Sequence, residues 1–586
     1  MIRLRDAPRL RHVRQFLPIF ALAGTYTRER LVSDLIAGVM VAIMLVPQSM
    51  AYAGLAGLPP EVGLYASIVP LIVYGLLGTS RSLAVGPVAI VSLLVASGIS
   101  GLAEVGSAEY VQLALTLALL VGVIQFAMGV LRLGFLVNFL SHPVLSGFTS
   151  AAAIVIGFSQ LKHVLGFAVP RSEHFYEQVL YTLQHLSQTN GYTLAIGLLS
   201  IGVLLYFKHK MAKLLRMWHF GEGWVIPISK SGPLITVLLG TLLVWGGSLD
   251  EQVAVVGVVP LGLPSLTMPL FDIGVWQVLQ PTALAISFVG YMESISVAKS
   301  LASPSTRSGT KRREKIEPNQ ELVALGMANL GGMLTGGYPI TGGFSRSLVN
   351  FAAGATSGMA SIITALLVAL TLLWLTPLFY FLPQAVLAAI ILVAITGLLD
   401  THTLRHVWQY NKADAWSLIM TFGAVLAVGV ERGILIGAAT SIALYLWRTS
   451  IPHVAIVGQL QGELYRNILR HDVQTWPHLV AVRVDESLYF ANSKFLEEML
   501  LRIVAEHPDI EHIVLVCSAI NFIDASAKET LEQLIPQLRE AGVQLHLAAI
   551  KGPVMDRLKA IGFVDQIGQE HIHLSTHDAM KALGGV

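Results

Sequence analysis

The sequence predicts a polytopic α-helical membrane protein of about fourteen spans, built as two inverted halves of seven, followed by a small α/β domain. Composition is the first evidence, because 54% of the 586 residues are hydrophobic and only 13% are charged, whereas soluble domains carry about 25% charged residues. The second is that long apolar segments recur up to residue 450, and that charged residues become more frequent beyond it.

The apolar segments approach the length of a membrane-spanning helix, about 20 residues. We number them as spans 1 to 14, at 34–56, 61–78, 82–100, 110–131, 143–162, 191–207, 232–247, 279–300, 320–336, 344–354, 357–378, 384–399, 413–430 and 432–448. Two of them are poor full spans. Gly86 and Pro87 interrupt span 3, and span 10 is short and follows Pro339, Gly342 and Gly343.

The positions of the two broken spans indicate an internal repeat. Spans 3 and 10 are each the third of seven, and an odd number of spans reverses the orientation of the second half. Inverted repeats with paired discontinuous helices are typical of secondary transporters, which bind their substrate at the breaks. This interpretation depends on spacing, since residue similarity between the halves is weak.

Loop charge predicts the orientation. With a cytosolic N-terminus, the loops after even-numbered spans are cytosolic and rich in bases: Arg81, Arg132, Lys208, Lys210, Lys213, Arg216, Arg307, Lys311, Arg312, Arg313, Lys315, Arg405, Lys412 and Arg448. The opposite loops contain mainly acids: Glu61, Glu104, Glu109, Glu173, Glu177, Asp250, Glu251 and Asp272. We therefore expect a cytosolic segment over 1–30, a transmembrane domain over 31–450 and a cytosolic domain over 451–586, in the inner or plasma membrane.

Strand and helix patterns alternate beyond residue 451. Strands are expected over Val480–Val484, His512–Cys517 and Val543–Ile550 and near His571, and helices after Asn492, Asp524, Pro553 and Ser575. This alternation is typical of a small α/β domain with a largely parallel sheet.

Arg346 is the first candidate site residue. It lies at the start of span 10, three residues after Gly343, and a helix N-terminus offers free N–H groups and the positive end of a dipole. Arginine adds a permanent charge and a planar donor fork that suits oxyanions. Val85–Val88 places a second helix N-terminus opposite, so the two breaks predict an anion site. The alternatives are that Arg346 snorkels to the interface or pairs with an acid.

Three polar residues in other spans are further candidates. Glu293 lies within span 8, where an ionised carboxylate is costly, so it can carry a coupling proton. The alternative is a structural partner for Arg346 or Lys299. Gln48 and Tyr52, one turn apart in span 1, can present an amide and a phenol to the same site, or form hydrogen bonds between helices.

Several function classes are disfavoured. The single cysteine, Cys517, permits neither an intrachain disulfide nor a thiolate cluster. His571, His573, His577 and Asp578 have metal-like spacing, but nothing completes the site, and we favour a solvated face. We expect no metal, no cofactor and no nucleic-acid partner. No nucleotide-binding motif and no nucleophile–base pair appears, so an enzyme is the weakest hypothesis.

Several motifs carry a family resemblance: LVPQSMAYA at 45–53, LPPEVGLY at 58–65, GTSR at 78–81 with GPVA at 86–89, GFSRSLV at 343–349 and LPQAVL at 382–387. They resemble the signature of the sulfate permease (SulP) anion transporters, also called solute carrier family 26. The C-terminal domain resembles the STAS domain that follows the membrane domain in that family.

The resemblance implies a core and a gate domain, elevator-like transport and a homodimer. Carried over by position, the anion site would be lined by Gln48, Tyr52, Val88, Ser345 and Arg346. Val88 matches a position that is aromatic in animal chloride and bicarbonate members, and its small size and Tyr52 are more similar to sulfate permeases.

Two further positions bear on coupling and regulation. Glu293 matches a glutamate of proton-coupled members, while sodium-coupled members carry an aspartate there and a threonine one turn later. The later position here is Val297, which has no oxygen for a hard cation, although Ser294 and Ser296 leave sodium open. In the loop Asn521–Ala527, Ala525 replaces the phosphoserine of related soluble proteins, which argues against that regulation.

We therefore predict a proton-coupled sulfate symporter. The alternatives are a bicarbonate or C4-dicarboxylate symporter, an uncoupled anion exchanger or channel, and a membrane sensor without substrate flux.

Overall fold

The computed structural model describes residues 26–135, 141–169, 175–221, 225, 228–302 and 315–585. Most of the predicted N-terminal segment, residues 1–30, therefore lies outside the described residues. The chain divides into two compact units, Met1–Ser441 and Ile442–Val586.

Each predicted span of the first half is found as helix. Spans 1 to 7 are Arg28–Ala56, Pro60–Tyr65 with Val69–Leu77, Ala89–Ile99, Ala108–Val130, His142–Leu165, Gly191–Tyr206 with its extension to Met217, and Gly232–Gly247. Span 3 begins only after Gly86 and Pro87, as the sequence predicts.

The second half repeats this pattern. Spans 8 to 14 are Ile273–Leu301, Pro318–Leu334, Phe344–Ala352, Met359–Leu370 with its extension to Phe379, Gln384–Ile395, Lys412–Val428 and Val430–Ser450. Within the described residues, 7 helices are long and apolar enough to cross a membrane alone. Span 10 is a half-helix of 9 residues.

Packing confirms the seven-plus-seven repeat, because contacts recur between equivalent spans. Span 1 packs on span 11 while its counterpart, span 8, packs on span 4, and the pairs 6–12 and 5–13 are related in the same way. Each half also carries a short amphipathic helix after its fifth span, Phe175–Gln184 and Thr401–Tyr410. These two helices escaped the hydropathy analysis because they are too short and too polar to span.

A segment between the halves, residues 252–272, runs across spans of the second half. The Val256 and Gly262 N–H groups donate to the carbonyls of Leu382 and Leu372, and the Thr267 N–H donates to Leu334. The segment 252–272 therefore joins spans 9, 11 and 12 by backbone hydrogen bonds. The sequence analysis did not predict this connection.

Two buried carboxylates fasten neighbouring segments in the membrane unit. Glu321 of span 9 accepts from the Tyr74 hydroxyl at 2.6 Å and from the N–H groups of Thr79 and Ser80 at 2.7 and 3.1 Å. Asp34 of span 1 accepts in the same way from Thr356 and Ser357. Both carboxylates are fully buried, so these hydrogen bonds replace the water that each has lost.

Replacing Glu321 with glutamine should destabilise the protein. The amide presents an NH₂ group where N–H and O–H donors already converge, and leaving buried donors unpaired costs about 1–3 kcal/mol each. We expect a loss of several degrees in the melting temperature of the purified protein. Glu317→Gln, one turn earlier and exposed, is the matched control; equal melting temperatures for both variants would contradict this role.

Two very short strands, Val85–Gly86 (β1) and Thr341–Gly342 (β2), belong to the membrane unit. The strands of the second unit, β3 to β8, are Val454–Gln461, Leu464–Asn467, Leu479–Val484, His512–Val516, Gln544–Ala548 and Ile572–His573. They form a six-stranded mixed sheet in the order β4-β3-β5-β6-β7-β8. β3 pairs antiparallel with β4 and β5, and the remaining pairs are parallel. The largely parallel α/β prediction is confirmed, although the β3–β4 hairpin was not foreseen.

Helices cover both faces of this sheet. Ser493–Glu506, Ala525–Glu540, Gly552–Ala560 and Phe563–Ile567 pack with the larger apolar core, and Thr576–Ala582 packs with the smaller one. Asp524 caps its helix as predicted, by accepting from the Ala527 N–H. Asn492 does not cap: its side-chain amide donates to the carbonyls of Thr449 and Ser487.

Candidate functional site

Two very short strands cross at the breaks of the membrane unit. Val85–Gly86 (β1) and Thr341–Gly342 (β2) pair antiparallel, with Val85 opposite Gly342 and Gly86 opposite Thr341. Span 3 begins three residues after β1, and span 10 begins two residues after β2. The crossing therefore brings the N-termini of both half-helices together, and their free N–H groups and dipoles favour an anion between them.

Span 10 holds the β1 segment in place. The Ala84 N–H donates to Ser347 Oγ at 2.8 Å, and Asn350 Nδ2 donates to the Ser82 carbonyl at 3.1 Å. The Gly343 N–H donates to the Ala84 carbonyl at 3.1 Å. The two half-helices are thus tied to each other directly.

Spans 8 and 9 hold the β2 segment. Ser294 Oγ accepts from the Gly342 N–H at 2.9 Å and lies 2.7 Å from Thr341 Oγ1. Asn329 of span 9 accepts from the Ile340 N–H at 2.8 Å. Ser294 is thus committed to hydrogen bonds that position backbone.

Arg346 lies at the crossing and is almost fully buried, with 2% of its surface exposed. Nη1 donates to the Pro87 carbonyl at 2.8 Å. Among the described residues, Nε and Nη2 have no hydrogen-bond partner, and no acidic side chain forms an ion pair with Arg346. Buried donors without partners are costly, so the geometry favours an added acceptor over the alternatives of snorkelling or pairing with an acid.

Close packing around the guanidinium explains why Gly343 precedes span 10. A Cβ atom at Gly343 would lie 2.9 Å from Arg346 Nη2 and 3.2 Å from Val88 Cγ1. Both distances are shorter than ordinary van der Waals contact, so a side chain at this position would displace the guanidinium of Arg346.

The other predicted site residues are placed as follows. Gln48, Tyr52 and Val88 are buried, and Val88 is the N-cap residue of span 3. Tyr52 lies near enough to Arg346 for an electrostatic interaction. Ser345 is exposed, and no hydrogen bond to another described residue is found for its side chain.

Glu293 lies in span 8 beside Ser294. Its Oε2 is buried and has no hydrogen-bond partner in the part of the chain that the structure describes, and its charge interacts with that of Arg346. The two side chains do not form a salt bridge within 4.0 Å, and Lys299 is exposed. Glu293 and Arg346 are therefore neighbours with a separation that leaves each able to bind something else.

Tyr338 and Ser92 are neighbours of the site that the sequence analysis missed. The Tyr338 hydroxyl lies 2.8 Å from Ser92 Oγ, and both residues are buried. The phenol also interacts electrostatically with Arg346 and Tyr52. The TGGYPITGG run at 335–343 could have pointed to Tyr338, since it immediately precedes the break.

Comparison with known proteins decides the family. The sequence profile of the sulfate permease family matches residues 31–421. The chain belongs to the sulfate permease family. A STAS domain profile matches residues 470–579 in the second unit.

Relatives of this sulfate permease family member are similar over nearly its whole length. It is 38% identical over 580 residues to "Probable sulfate transporter 4.2" of Arabidopsis thaliana, covering 96% of this chain and 83% of the relative. It is 37% identical to "Sulfate transporter 4.1, chloroplastic" of the same plant, covering 96% and 82%. It is 34% identical to "High affinity sulfate transporter 2" of Stylosanthes hamata, covering 97% and 86%.

Solved structures show the same fold. Murine Solute Carrier 26 family member A9, an anion transporter in the inward-facing state, is 26% identical with a TM-score of 0.88, covering 100% of this chain and 97% of that one. The transmembrane domain of the cyanobacterial bicarbonate transporter BicA, 22% identical, has a TM-score of 0.55 and covers 71% and 98%. The chain is therefore a multi-pass anion transporter of this family and not an enzyme.

The histidines with metal-like spacing do not converge. His577 lies 3.3 Å from the Tyr465 hydroxyl, and Asp578 caps its own helix with Ser575. His571 and His573 instead reach His546 in the neighbouring strand. The prediction of a solvated face was wrong for these two, because β8 lies beside β7.

His546 is the centre of this imidazole cluster. Its Nε2 lies 3.3 Å from His512 Nδ1, and its Nδ1 lies 3.3 Å from His573 Nε2. Burial, followed by repulsion from protonated His571, His512 and His573, lowers the pKa of His546 to about 3. Burial also lowers the pKa values of His512 and His573. The neutral imidazole is therefore the favoured form at His512, His546 and His573.

Acidification should weaken this domain. The ordinary pKa of histidine is about 6.5, and that of folded His546 is about 3. Between these two pH values His546 binds a proton in the unfolded protein but not in the folded one. The contribution of neutral His546 to the free energy of unfolding is therefore complete above pH 6.5. It is lost as the pH falls below that value, by up to about 1.4 kcal/mol per pH unit. Hydrogen-exchange protection of strand β6 in the full-length protein measures this.

A matched pair of variants checks the assignment. His546→Gln should flatten the fall in protection between pH 7 and 5. His471→Gln, which changes an exposed histidine, should leave it as it was. A slope unaffected by His546→Gln would show that the cluster does not set the acid sensitivity.

Proposed function

We propose that this protein is a proton-coupled sulfate symporter with an elevator-like mechanism. The observation that carries the proposal is the buried Arg346 guanidinium, whose Nε and Nη2 have no partner where two half-helix N-termini meet. Sulfate presents several acceptor oxygens and a double negative charge, which suits a planar donor fork together with two helix dipoles. Relatives with printed sulfate transporter names support this substrate.

The site residues have distinct roles in this proposal. Arg346 binds the anion, with Ser345 and the backbone N–H groups beyond Val88 as further donors. Gln48 and Tyr52 of span 1 close the site with an amide and a phenol. Gly343 keeps the approach to the guanidinium open.

Glu293 carries the coupling proton. It is a carboxylate in an apolar span with a buried oxygen that has no partner, and its protonated form would offset part of the charge of the bound anion. Sodium is disfavoured because Val297 lacks an oxygen and Ser294 is engaged with Gly342. Ser296 is exposed, so it does not enclose a cation within the protein.

The arrangement in the cell completes the proposal. Both termini lie in the cytosol, residues 1–30 precede the transport domain over 31–450, and the STAS domain occupies 451–586. The protein is a homodimer in the inner or plasma membrane.

Uptake of labelled sulfate into proteoliposomes tests the proposal. We expect an inward proton gradient to accelerate uptake and to drive accumulation above the equilibrium level. Bicarbonate and fumarate, added as competitors, should inhibit weakly. Uptake of a competitor without sulfate uptake would overturn the substrate; sulfate uptake indifferent to the gradient would indicate an exchanger or channel.

A further inference from the structure

The cytosolic end of span 6, in the orientation that loop charge predicts, carries a cluster of bases. The helix passes through a π-helical turn, Phe207–Met211, and ends at Met217. Lys208, Lys210 and Lys213 are exposed along it. Lys230, just before span 7, is exposed as well and close enough to repel Lys208. We call these four lysines the basic patch.

Acidic residues are sparse in the sequence around the basic patch. Between Glu177 and Asp250 the sequence has a single acidic residue, Glu222. In the part of the chain that the structure describes, none of the four lysines forms a salt bridge. Like charges held together without counter-charge repel, so the patch favours an anion from outside the chain.

Apolar side chains around the basic patch indicate its depth in the membrane. Leu198 and Leu199, earlier on span 6, are 57% and 52% exposed, as expected of a lipid-facing helix. Met217 and Trp218, past the lysines, are 66% and 61% exposed. Tryptophan favours the level of the lipid headgroups, and lysine stems lie along apolar surface while their charges reach the interface.

We propose that the basic patch binds the headgroups of anionic phospholipids. Clusters of several lysines next to a membrane span bind such lipids through their phosphate charge. Lipid fits better than free phosphate, because the flanking leucines and Trp218 lie where acyl chains and headgroups meet.

Binding at this patch would also stabilise the contact between spans 6 and 12. Lys208 Nζ donates to Thr396 Oγ1 at 2.7 Å and to the Val393 carbonyl at 3.3 Å. These acceptors lie at the end of span 12, so a lipid on the patch would rest against the junction of spans 6, 7 and 12.

Native mass spectrometry of the full-length protein, released from nanodiscs of mixed composition, tests the proposal. The wild type should retain phosphatidylglycerol in preference to phosphatidylcholine. The triple variant Lys210→Gln, Lys213→Gln, Lys230→Gln keeps the Lys208 hydrogen bonds and should lose roughly fivefold of that preference per lysine. The double variant Arg405→Gln, Lys412→Gln removes exposed bases elsewhere and should retain it.

Two further measurements separate lipid binding from misfolding and from binding of free phosphate. Replacing the same three lysines with arginine should preserve the lipid preference, which separates charge loss from misfolding. Inorganic phosphate should not displace phosphatidylglycerol at equal concentration. A triple glutamine variant with unchanged preference, or displacement by phosphate, would overturn the proposal.

Discussion

Arg346→Ala should abolish sulfate uptake and leave the fold intact. Each charge-assisted hydrogen bond from the guanidinium to the anion is worth about 1.5–3 kcal/mol, so two of them account for at least a hundredfold loss of affinity. We expect uptake below about 1% of wild type at low sulfate. Initial rates in proteoliposomes, normalised to reconstituted protein, measure the effect.

The thermal stability of the Arg346→Ala variant should not fall with its uptake activity. Among the described residues, the Arg346 side chain donates only to the Pro87 carbonyl, and Nε and Nη2 are buried without partners. Truncation therefore removes a desolvated charge, and the melting temperature without sulfate should stay unchanged or rise. A large fall would mean that Arg346 holds the crossing together, and normal uptake would refute the site.

Two milder variants refine the test. Arg346→Lys keeps the charge but loses the planar fork, so uptake should be intermediate. Gly343→Ala leaves Arg346 in place but puts a Cβ 2.9 Å from Nη2, and should weaken sulfate binding sharply. Gly101→Ala, where a Cβ would contact nothing within 4 Å, is the matched control and should behave as wild type.

The sequence predicted the centre of this site because its signals are local. Gly86 and Pro87 interrupt an apolar run, and Gly342, Gly343 and Arg346 lie within a few residues of one another. Glycine and proline residues that interrupt an apolar run predict the ends of half-helices directly. The pairing of the two breaks needed only their equal position in each half.

The supports of the site were not predictable in the same way. Ser294, Asn329 and Glu321 are single polar residues in apolar spans, a pattern that fits many interhelical contacts. Their partners lie 11 to 247 residues away in sequence. The packing of the two halves decides which backbone group each of these side chains contacts. That packing cannot be predicted from a single sequence.

The imidazole cluster was not predicted from the sequence for a related reason. His512, His546 and His573 lie on three neighbouring strands, and parallel strands are joined through long crossover connections. Their contact depends on the register of β6, β7 and β8, which places Val514 opposite His546 and Ala548 opposite His573. Spacing along the chain suggested His577 and Asp578 instead, which face elsewhere.

Glu293→Gln should separate sulfate movement from the proton gradient. The amide imitates the protonated carboxyl permanently, so the anion can still bind at Arg346 while no proton is taken up or released with it. Each pH unit of gradient can drive about tenfold accumulation per coupled proton. We expect the wild type to concentrate sulfate under an inward gradient and the variant to reach only the equilibrium level.

The comparison needs a control for charge and one for binding. Glu104→Gln removes an exposed loop carboxylate and should leave gradient-driven accumulation intact. Sulfate binding to purified Glu293→Gln should persist, and it should vary less with pH than in the wild type, because protonating Glu293 removes a negative charge near Arg346. A variant that still concentrates sulfate would assign the coupling proton to another group, and one that no longer binds sulfate would make Glu293 part of the anion site itself.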